Sequence, residues 1–371
     1  MTQPTPQGPI PIELRPSPEP LSGESRATTM ANPGFGRVFT EHMISIRWSS
    51  GSGWHAGVLR PRACLELDPA AMVFHYGQAI FEGLKAYRQS DGSTAAFRPY
   101  ENAGRFQRSA RRMAMPELPA GTFVDAIEVL VRQDIDWVPA GAGETLYLRP
   151  LMIATEVGLG VRPANEYLFL LLASPVGPYF PQGVRPVSVW LSEEFTRAAP
   201  GGTGAAKFAG NYAATLVTQA EAAANGCDQV VWLDAVERRW VEEMGGMNIC
   251  FVYGSGGDAR LMTPALTGTL LPGVTRDSLL TLATRLGYGV EEGRLSVEQW
   301  RAESANGTMT EAFACGTAAI ITPIGSVRSA GASWTMGSGE PGPVTMRLRR
   351  ELLDIQHGAA ADPEGWMHRI C

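Results

Sequence analysis

The sequence predicts a mixed α/β protein of two domains, on three observations. Its 371 residues exceed what one hydrophobic core ordinarily serves, so two domains that each bury a core are expected. Segments of strand-like alternation and of helical periodicity follow one another in mixed order, without internal repeats or low-complexity tracts. Residues 175–186 hold four prolines and two glycines in twelve positions, the sharpest composition break in the chain. The expected division is a loose tail at 1–31, rich in Pro, Ser, Thr and Gln, a smaller N-terminal α/β domain at 32–175, a linker at 176–186 and a larger C-terminal domain at 187–371.

Taken in order, residues 39–48 alternate enough for a strand, and 71–88 carry short apolar segments broken at Gly77 and Gly83. Residues 102–115 predict a helix with Phe106, Ala110 and Met113 on one face, followed by a second helix at 122–137 and strands at 145–155 and 166–174. Beyond the linker a strand is expected at 187–192, then a Gly-rich stretch at 200–210. Asn211 is a good N-cap for a helix that Asn225 and Gly226 would stop. Strands at 229–234 and 248–253, helices at 276–286 and 296–305, a strand at 311–321 and a helix at 344–357 complete the set.

Composition excludes several classes of function. A formal charge of −6 gives nucleic-acid phosphates nothing to hold. The longest apolar candidate, residues 167–173, is the length of a buried strand and far short of the roughly 20 residues that cross a bilayer. The N-terminus lacks the basic-then-apolar order of a secretory signal. Five cysteines, widely spaced and without a Cys-x-x-Cys pair, indicate neither a disulfide framework nor a zinc site, and a reducing cytoplasm fits them. The five histidines show no ligand spacing, so no metal is expected. No Gly-x-Ser-x-Gly elbow is present.

Of 31 basic residues only Lys85 and Lys207 are lysine. Arginine serves wherever a cation merely pairs or solvates; a reaction that needs a deprotonatable amine requires lysine. Lys207 follows a run of small residues, 201–206, just before the expected helix. It is not a P-loop, since Ala206 and Phe208 stand where that motif needs Gly and Ser or Thr, and Gly204 rules out Ser-x-x-Lys. What remains is a lysine with little bulk around it and Tyr212 five residues on. That setting suits a Schiff base to a carbonyl or to pyridoxal phosphate, and equally a surface lysine in a flexible loop. A pyridoxal enzyme also needs a carboxylate at the ring nitrogen. Glu242 and Glu243 offer two, which in extended chain point to opposite faces, so at most one serves; otherwise both are solvated. Residues 270–277, with a Pro272-Gly273 turn and Thr275 before a helix, are a candidate phosphate entry, and 315–319 are a second small-residue turn. Arg105, taken alone, is one of several arginines on its helix.

Together these stretches, with Pro33-Gly34-Phe35-Gly36, His75-Tyr76, Phe81-Glu82-Gly83-Leu84-Lys85-Ala86-Tyr87 and Tyr147-Leu148-Arg149-Pro150, resemble the branched-chain amino acid aminotransferases. These are fold type IV pyridoxal phosphate enzymes with the two-domain, D-amino acid aminotransferase-like fold. The likeness is greatest to bacterial members and runs from about Asn32 to Trp366. It implies pyridoxal 5'-phosphate bound through Lys207, which is also the base that moves the proton at the substrate Cα. By the same resemblance Glu243 faces the pyridine nitrogen, Tyr212 the phenolic oxygen, and Arg105, Val274, Thr275 and Thr317 the phosphate. Phe35, Tyr76, Tyr147, Val161 and Tyr179 would line the side-chain pocket, with Arg149 taking the second carboxylate of 2-oxoglutarate or glutamate. The substrate α-carboxylate would lie near Tyr76, Ala318 and Ala319. Lys85 lies in a matching block with no role that the resemblance assigns.

Three departures stand out: Ala209 replaces a usual glycine, Ala312 a larger aliphatic, and Ala319 and Thr322 stand where animal members carry a redox Cys-x-x-Cys. The implied activity is reversible amino transfer between leucine, isoleucine or valine and 2-oxoglutarate by a cytoplasmic homodimer. The alternatives are a same-fold D-amino acid aminotransferase or aminodeoxychorismate lyase, a specialised paralogue for an unusual aliphatic amino acid, and a non-catalytic pyridoxal phosphate-binding protein.

Overall fold

The computed structural model describes residues 10–180 and 182–371, so residues 1–9 of the expected tail and Pro181 of the expected linker lie outside it. The chain divides into two compact units. The first runs up to Tyr179 and regains the chain at Ala206–Ala209 and Ile355–Cys371; the second holds Phe180–Ala205 and Gly210–Asp354. The sequence placed 206–209 and 355–371 in the C-terminal domain. Both return to the first unit through pairings with partners far away in sequence, which no local pattern announces.

The first unit contains β1 (Ile12–Leu14), α1 (Gly23–Met30), β2 (His42–Ser49), β3 (Gly53–Pro61), α2 (Met72–Tyr76) and β4 (Ala79–Phe81). These are followed by β5 (Leu84–Arg88), β6 (Thr94–Phe97), α3 (Pro99–Arg112), α4 (Ala120–Gln133), β7 (Thr145–Ala154) and β8 (Glu166–Val176). Its sheet runs β1-β3-β2-β8-β7-β5-β6 and ends on the C-terminal strand Met367–Arg369, with β4 alongside β7. Only the β1–β3 pair among these is parallel. Period-two alternation decides which side chains this sheet hides. Leu146, Leu148 and Met152 of β7 and Tyr167, Phe169 and Leu171 of β8 enter the core, where Phe169 meets Phe106 of α3 and Phe123 of α4 at 5.8 and 6.3 Å between ring centroids. The intervening residues of β7, Tyr147 and Arg149, are therefore left for the other face. In α3, Pro99 at the first turn fixes the start, and the residues at helical spacing, Asn102, Arg105, Phe106 and Ser109, form the buried face.

Within the expected tail, residues 10–31 are ordered by contacts. β1 pairs in parallel with β3 from Ile12 against Gly57 to Leu14 against Leu59. The Ser17 N–H donates to His42 Nε2 at 2.9 Å, while His42 Nδ1 faces Asp134 at 2.5 Å, so the ring proton sits on the Asp134 side. The Leu21 N–H donates to Glu41, and Arg26 of α1 pairs with Asp136 at 2.7 Å. Composition suggested a tail because the residues that hold this segment lie elsewhere in the sequence.

The second unit contains β9 (Val187–Ser192), α5 (Ala209–Ala213), α6 (Leu216–Ala224), β10 (Gln229–Leu233), β11 (Val241–Met244), β12 (Met247–Tyr253) and β13 (Arg260–Pro264). Then come α7 (Val274–Arg285), β14 (Gly289–Gly293), α8 (Val297–Ala305), β15 (Met309–Gly316), β16 (Ile320–Arg328), β17 (Ser333–Thr335) and α9 (Pro343–Gln356). The path β11-β10-β9-β16-β15-β12 closes on itself, because β11 also pairs with β12 through the turn at Gly245 and Gly246. Val189, Leu191, Val231, Ile249, Phe251, Ala314 and Val327 pack together as its core, with Trp300 of α8 against Phe251 at 5.1 Å.

Two expected elements are each split. The helix expected after Asn211 is two, because the Thr215 hydroxyl donates to the Tyr212 carbonyl at 2.7 Å and breaks the first turn from α6. Asn211 is not a cap: it lies inside α5, and its side chain clamps Thr203 through bonds of 2.6 and 2.8 Å. The strand expected at 311–321 is the hairpin β15–β16, turned at 317–319, with Ile320 at φ +65°.

A buried carboxylate anchors the last helix. Glu311 of β15 accepts the first-turn N–H groups of Val344 and Thr345 at 3.0 and 2.8 Å, compensating donors that α9 cannot satisfy internally. Glu311→Ala is expected to lower stability by about 2–3 kcal/mol, read as an unchanged slope and an earlier midpoint in urea unfolding. A midpoint within error of the parent would show that water replaces the carboxylate without cost.

Candidate active site

Lys207 is seated by its backbone. Its N–H donates to Ser109 Oγ at 2.9 Å, its carbonyl accepts the Phe81 N–H at 3.1 Å, and the next residue, Phe208, bridges Ile80 in antiparallel fashion. Ser109 is fully buried on α3 and Phe81 ends β4, so two regular elements fix the segment. The half-buried side chain lies with Nζ 4.9 Å from the centre of the Phe81 ring. A lysine held on both sides of its own peptide is not a loop-tip lysine.

The Phe81 ring is shared. Arg149 Cζ stands 4.9 Å from its centre and 5.3 Å from that of Tyr147, and Arg149 Nη2 donates to the Tyr147 hydroxyl at 2.9 Å. Phe35 meets Tyr147 edge-on at 5.0 Å. The Tyr147 hydroxyl lies over Gly83, where a Cβ would come within 2.1 Å of it, so only glycine permits the approach. Arg149 Nε is buried with no hydrogen-bond partner, as suits a donor kept for an anion. Lys85, also buried, pairs in register with Tyr147 across β5 and β7.

One turn before Ser109, Arg105 is 3% exposed and lies on the buried face of its helix. Glu82, fully buried, accepts from its Nε and Nη2 at 2.7 and 2.8 Å, and Asn102 Oδ1 from Nη2 at 3.3 Å. This two-point pairing fixes the plane of the guanidinium. Tyr76 ends α2, with its hydroxyl donating to the Leu159 carbonyl. Val161 is 84% exposed and Tyr179 45% exposed.

In the second unit Glu242 and Glu243 diverge as alternation requires. Glu242 accepts the Thr269 hydroxyl, and burial pushes its carboxyl above the usual range. Glu243, 2% exposed, meets Arg197 Nε at 2.7 Å, the Leu271 N–H at 2.7 Å and Asn248 Nδ2 at 3.3 Å. Asn248 lies between the parts of this site: on β12 it pairs in register with Glu243 on one side and Cys315 on the other, and its amide also donates to the Leu271 carbonyl at 3.0 Å. Two residues beyond Leu271, Gly273 precedes α7, and a Cβ there would meet Asn248 Oδ1 at 2.0 Å. Gly273 offers no side-chain cap, so the N–H groups at Val274 and Thr275 open a helix suited to an anion. Thr317, Ala318 and Ala319 form the β15–β16 turn, which starts beside Asn248's register partner. Tyr212 on α5 stands against Gly246, its Cε1 3.2 Å from where a Cβ would be.

The sequence reading missed Arg197, Asn248, Ser109 and the partner role of Glu82. Arg197 carried no signal among so many arginines, and the local chemistry around Asn248 and Glu82 does not reveal what they hold.

The amino-transferase class IV family model matches residues 79–327. A probable branched-chain-amino-acid aminotransferase of Streptomyces coelicolor is 64% identical over 371 residues, covering 100% of both chains. A branched-chain-amino-acid aminotransferase of Mycolicibacterium smegmatis is 57% identical over 98% of this chain and 99% of its own. Among solved structures, the branched-chain amino acid aminotransferase of Thermobaculum terrenum in its PLP-form superposes with a TM-score of 0.71 at 25% identity, covering 90% of this chain and 99% of that one. A lysine seated by its own backbone, a buried ion-paired carboxylate and an open helix start thus accompany extensive identity to enzymes of one kind, and the chain belongs to the class IV amino-transferases.

Proposed function

We propose that this chain is a branched-chain-amino-acid transaminase, moving the amino group of leucine, isoleucine or valine reversibly to 2-oxoglutarate with pyridoxal 5'-phosphate as cofactor. The observation that carries the reading is the pairing of full-length identity to enzymes of that name with a seated Lys207. The donor set fits the cofactor: an amine for its aldehyde, an ionic carboxylate for its ring nitrogen, and an open helix start for its phosphate. When bound, pyridoxal phosphate supplies an electron-withdrawing ring that stabilises the negative charge left when the substrate Cα loses its proton.

The protein's own groups do the rest. Lys207 Nζ would take that proton from Cα and give it to the cofactor's C4′ carbon, acting as base and then acid. Glu243 holds the ring nitrogen in its protonated form, and Tyr212 donates to the phenolic oxygen. The N–H groups of Val274 and Thr275, with Arg105 and Thr317, bind the phosphate; Glu82 aims Arg105 for this. Phe35, Tyr76, Tyr147, Val161 and Tyr179 receive the aliphatic side chain, and Arg149 pairs with the distal carboxylate of glutamate or 2-oxoglutarate. Tyr76 and the N–H groups at Ala318 and Ala319 take the α-carboxylate. Val161, exposed in the single chain together with Phe74, Val157 and Leu159, belongs to an apolar patch that a second copy covers in a homodimer. The cytoplasm is the expected compartment, in keeping with five free cysteines.

Lys207→Ala is expected to lower turnover by about 10²–10⁴-fold or more in a coupled leucine and 2-oxoglutarate assay. Full turnover in that variant would remove the assignment. Arg149→Gln is expected to raise KM for 2-oxoglutarate by about 10- to 100-fold, the loss of one charge-assisted pairing. Its half-reaction with leucine alone, followed as bleaching of the bound cofactor's visible absorbance, should change by less than about threefold. Equal losses for both substrates would mean that Arg149 supports the site and does not read the acidic side chain.

A further inference from the structure

Arg197 lies in no block that pointed to chemistry, yet its side chain is only 7% exposed and it bonds three separate stretches of the second unit. Its Nε meets Glu243 Oε2 at 2.7 Å, and its Nη2 donates to the Thr269 carbonyl at 2.8 Å and the Gly204 carbonyl at 3.3 Å. The two carbonyls fix the direction of the guanidinium, and the guanidinium in turn meets one oxygen of the carboxylate. The Leu271 N–H and the Asn248 amide meet the other oxygen, Oε1, at 2.7 and 3.3 Å. Glu243 is therefore gripped at both oxygens, by a cation on one side and by neutral donors on the other. A permanently charged guanidinium beside a buried carboxylate offsets the loss of water around that charge.

We infer that Arg197 is a positioning residue that holds Glu243 as an oriented carboxylate for the cofactor's ring nitrogen. The inference rests on the reading of Glu243 given above. Arg197 acts through Glu243, because the carboxylate it bonds is that of Glu243 and its other bonds are to main-chain carbonyls. Lysine in its place would preserve the charge but not the planar, multiply directed set of donors.

The test is cofactor affinity, measured by fluorescence titration of cofactor-stripped protein with pyridoxal 5'-phosphate. The proteins compared are the parent, Arg197→Gln, Arg197→Lys, Glu243→Gln and the double variant Arg197→Gln/Glu243→Gln. Arg197→Gln should weaken binding by about tenfold or more, and Arg197→Lys should recover most of that loss by restoring the charge. The double variant should bind within about twofold of Glu243→Gln alone, since removing the cation costs nothing further once the carboxylate is gone. The double and Glu243→Gln variants carry the test even if Arg197→Gln does not fold, because the double variant removes both buried charges together.

An added loss in the double variant equal to that of Arg197→Gln in the parent, or parent-like binding by Arg197→Gln, would overturn the inference and leave the proposed function standing. A parent protein that takes up no pyridoxal 5'-phosphate would overturn that function and this role with it.

Discussion

Charge cannot be buried in a protein without a partner, and this molecule depends on how it meets that constraint at two carboxylates. Glu243 and Glu82 are 2% and 0% exposed, and each is matched by a guanidinium that approaches within 2.7 Å, Arg197 and Arg105 respectively. Such pairs contribute little net stability, because desolvation offsets their attraction. Removing one partner alone costs about 3–5 kcal/mol. Their consequence is geometric: a charged fork with fixed directions on each side determines where neighbouring groups stand.

In the second unit that geometry spreads from Glu243 through Asn248. One amide bonds Glu243 and the Leu271 carbonyl, and its oxygen lies against Gly273 so closely that no side chain fits there. The start of α7 is thereby set relative to the carboxylate by main-chain and amide contacts, which have few rotatable bonds to loosen them. In the first unit α3 plays the comparable part, presenting Arg105 and Ser109 one helical turn apart on its buried face. One is fixed by Glu82 and the other receives the Lys207 N–H. Sheet alternation adds Tyr147 and Arg149, since packing Leu146 and Leu148 into the core leaves the residues between them on the opposite face.

Much of the candidate site could be read from the sequence because it lies in short blocks whose residue types are constrained. A scarce lysine among small residues, two adjacent acids entering a strand and a Pro-Gly turn before a helix each expose a chemical need. Val161 was placed in a pocket by the resemblance alone, and in the single chain it is 84% exposed. Arg105, one of several arginines on its helix, was singled out only by the resemblance; the 3.6-residue period puts it with Phe106 and Ser109 on the packed side.

The sequence by itself determined the mixed α/β class and most of the helices and strands, since these follow from periodicity, and it singled out Lys207 as a candidate by its scarcity. Tertiary structure alone decided that residues 10–31 dock on β3 and on His42, and that 355–371 return to the first unit. It also decided which arginine holds Glu243. Each of these depends on pairing between residues far apart in the chain, and a local pattern carries no record of the partner that a distant strand or carboxylate will find.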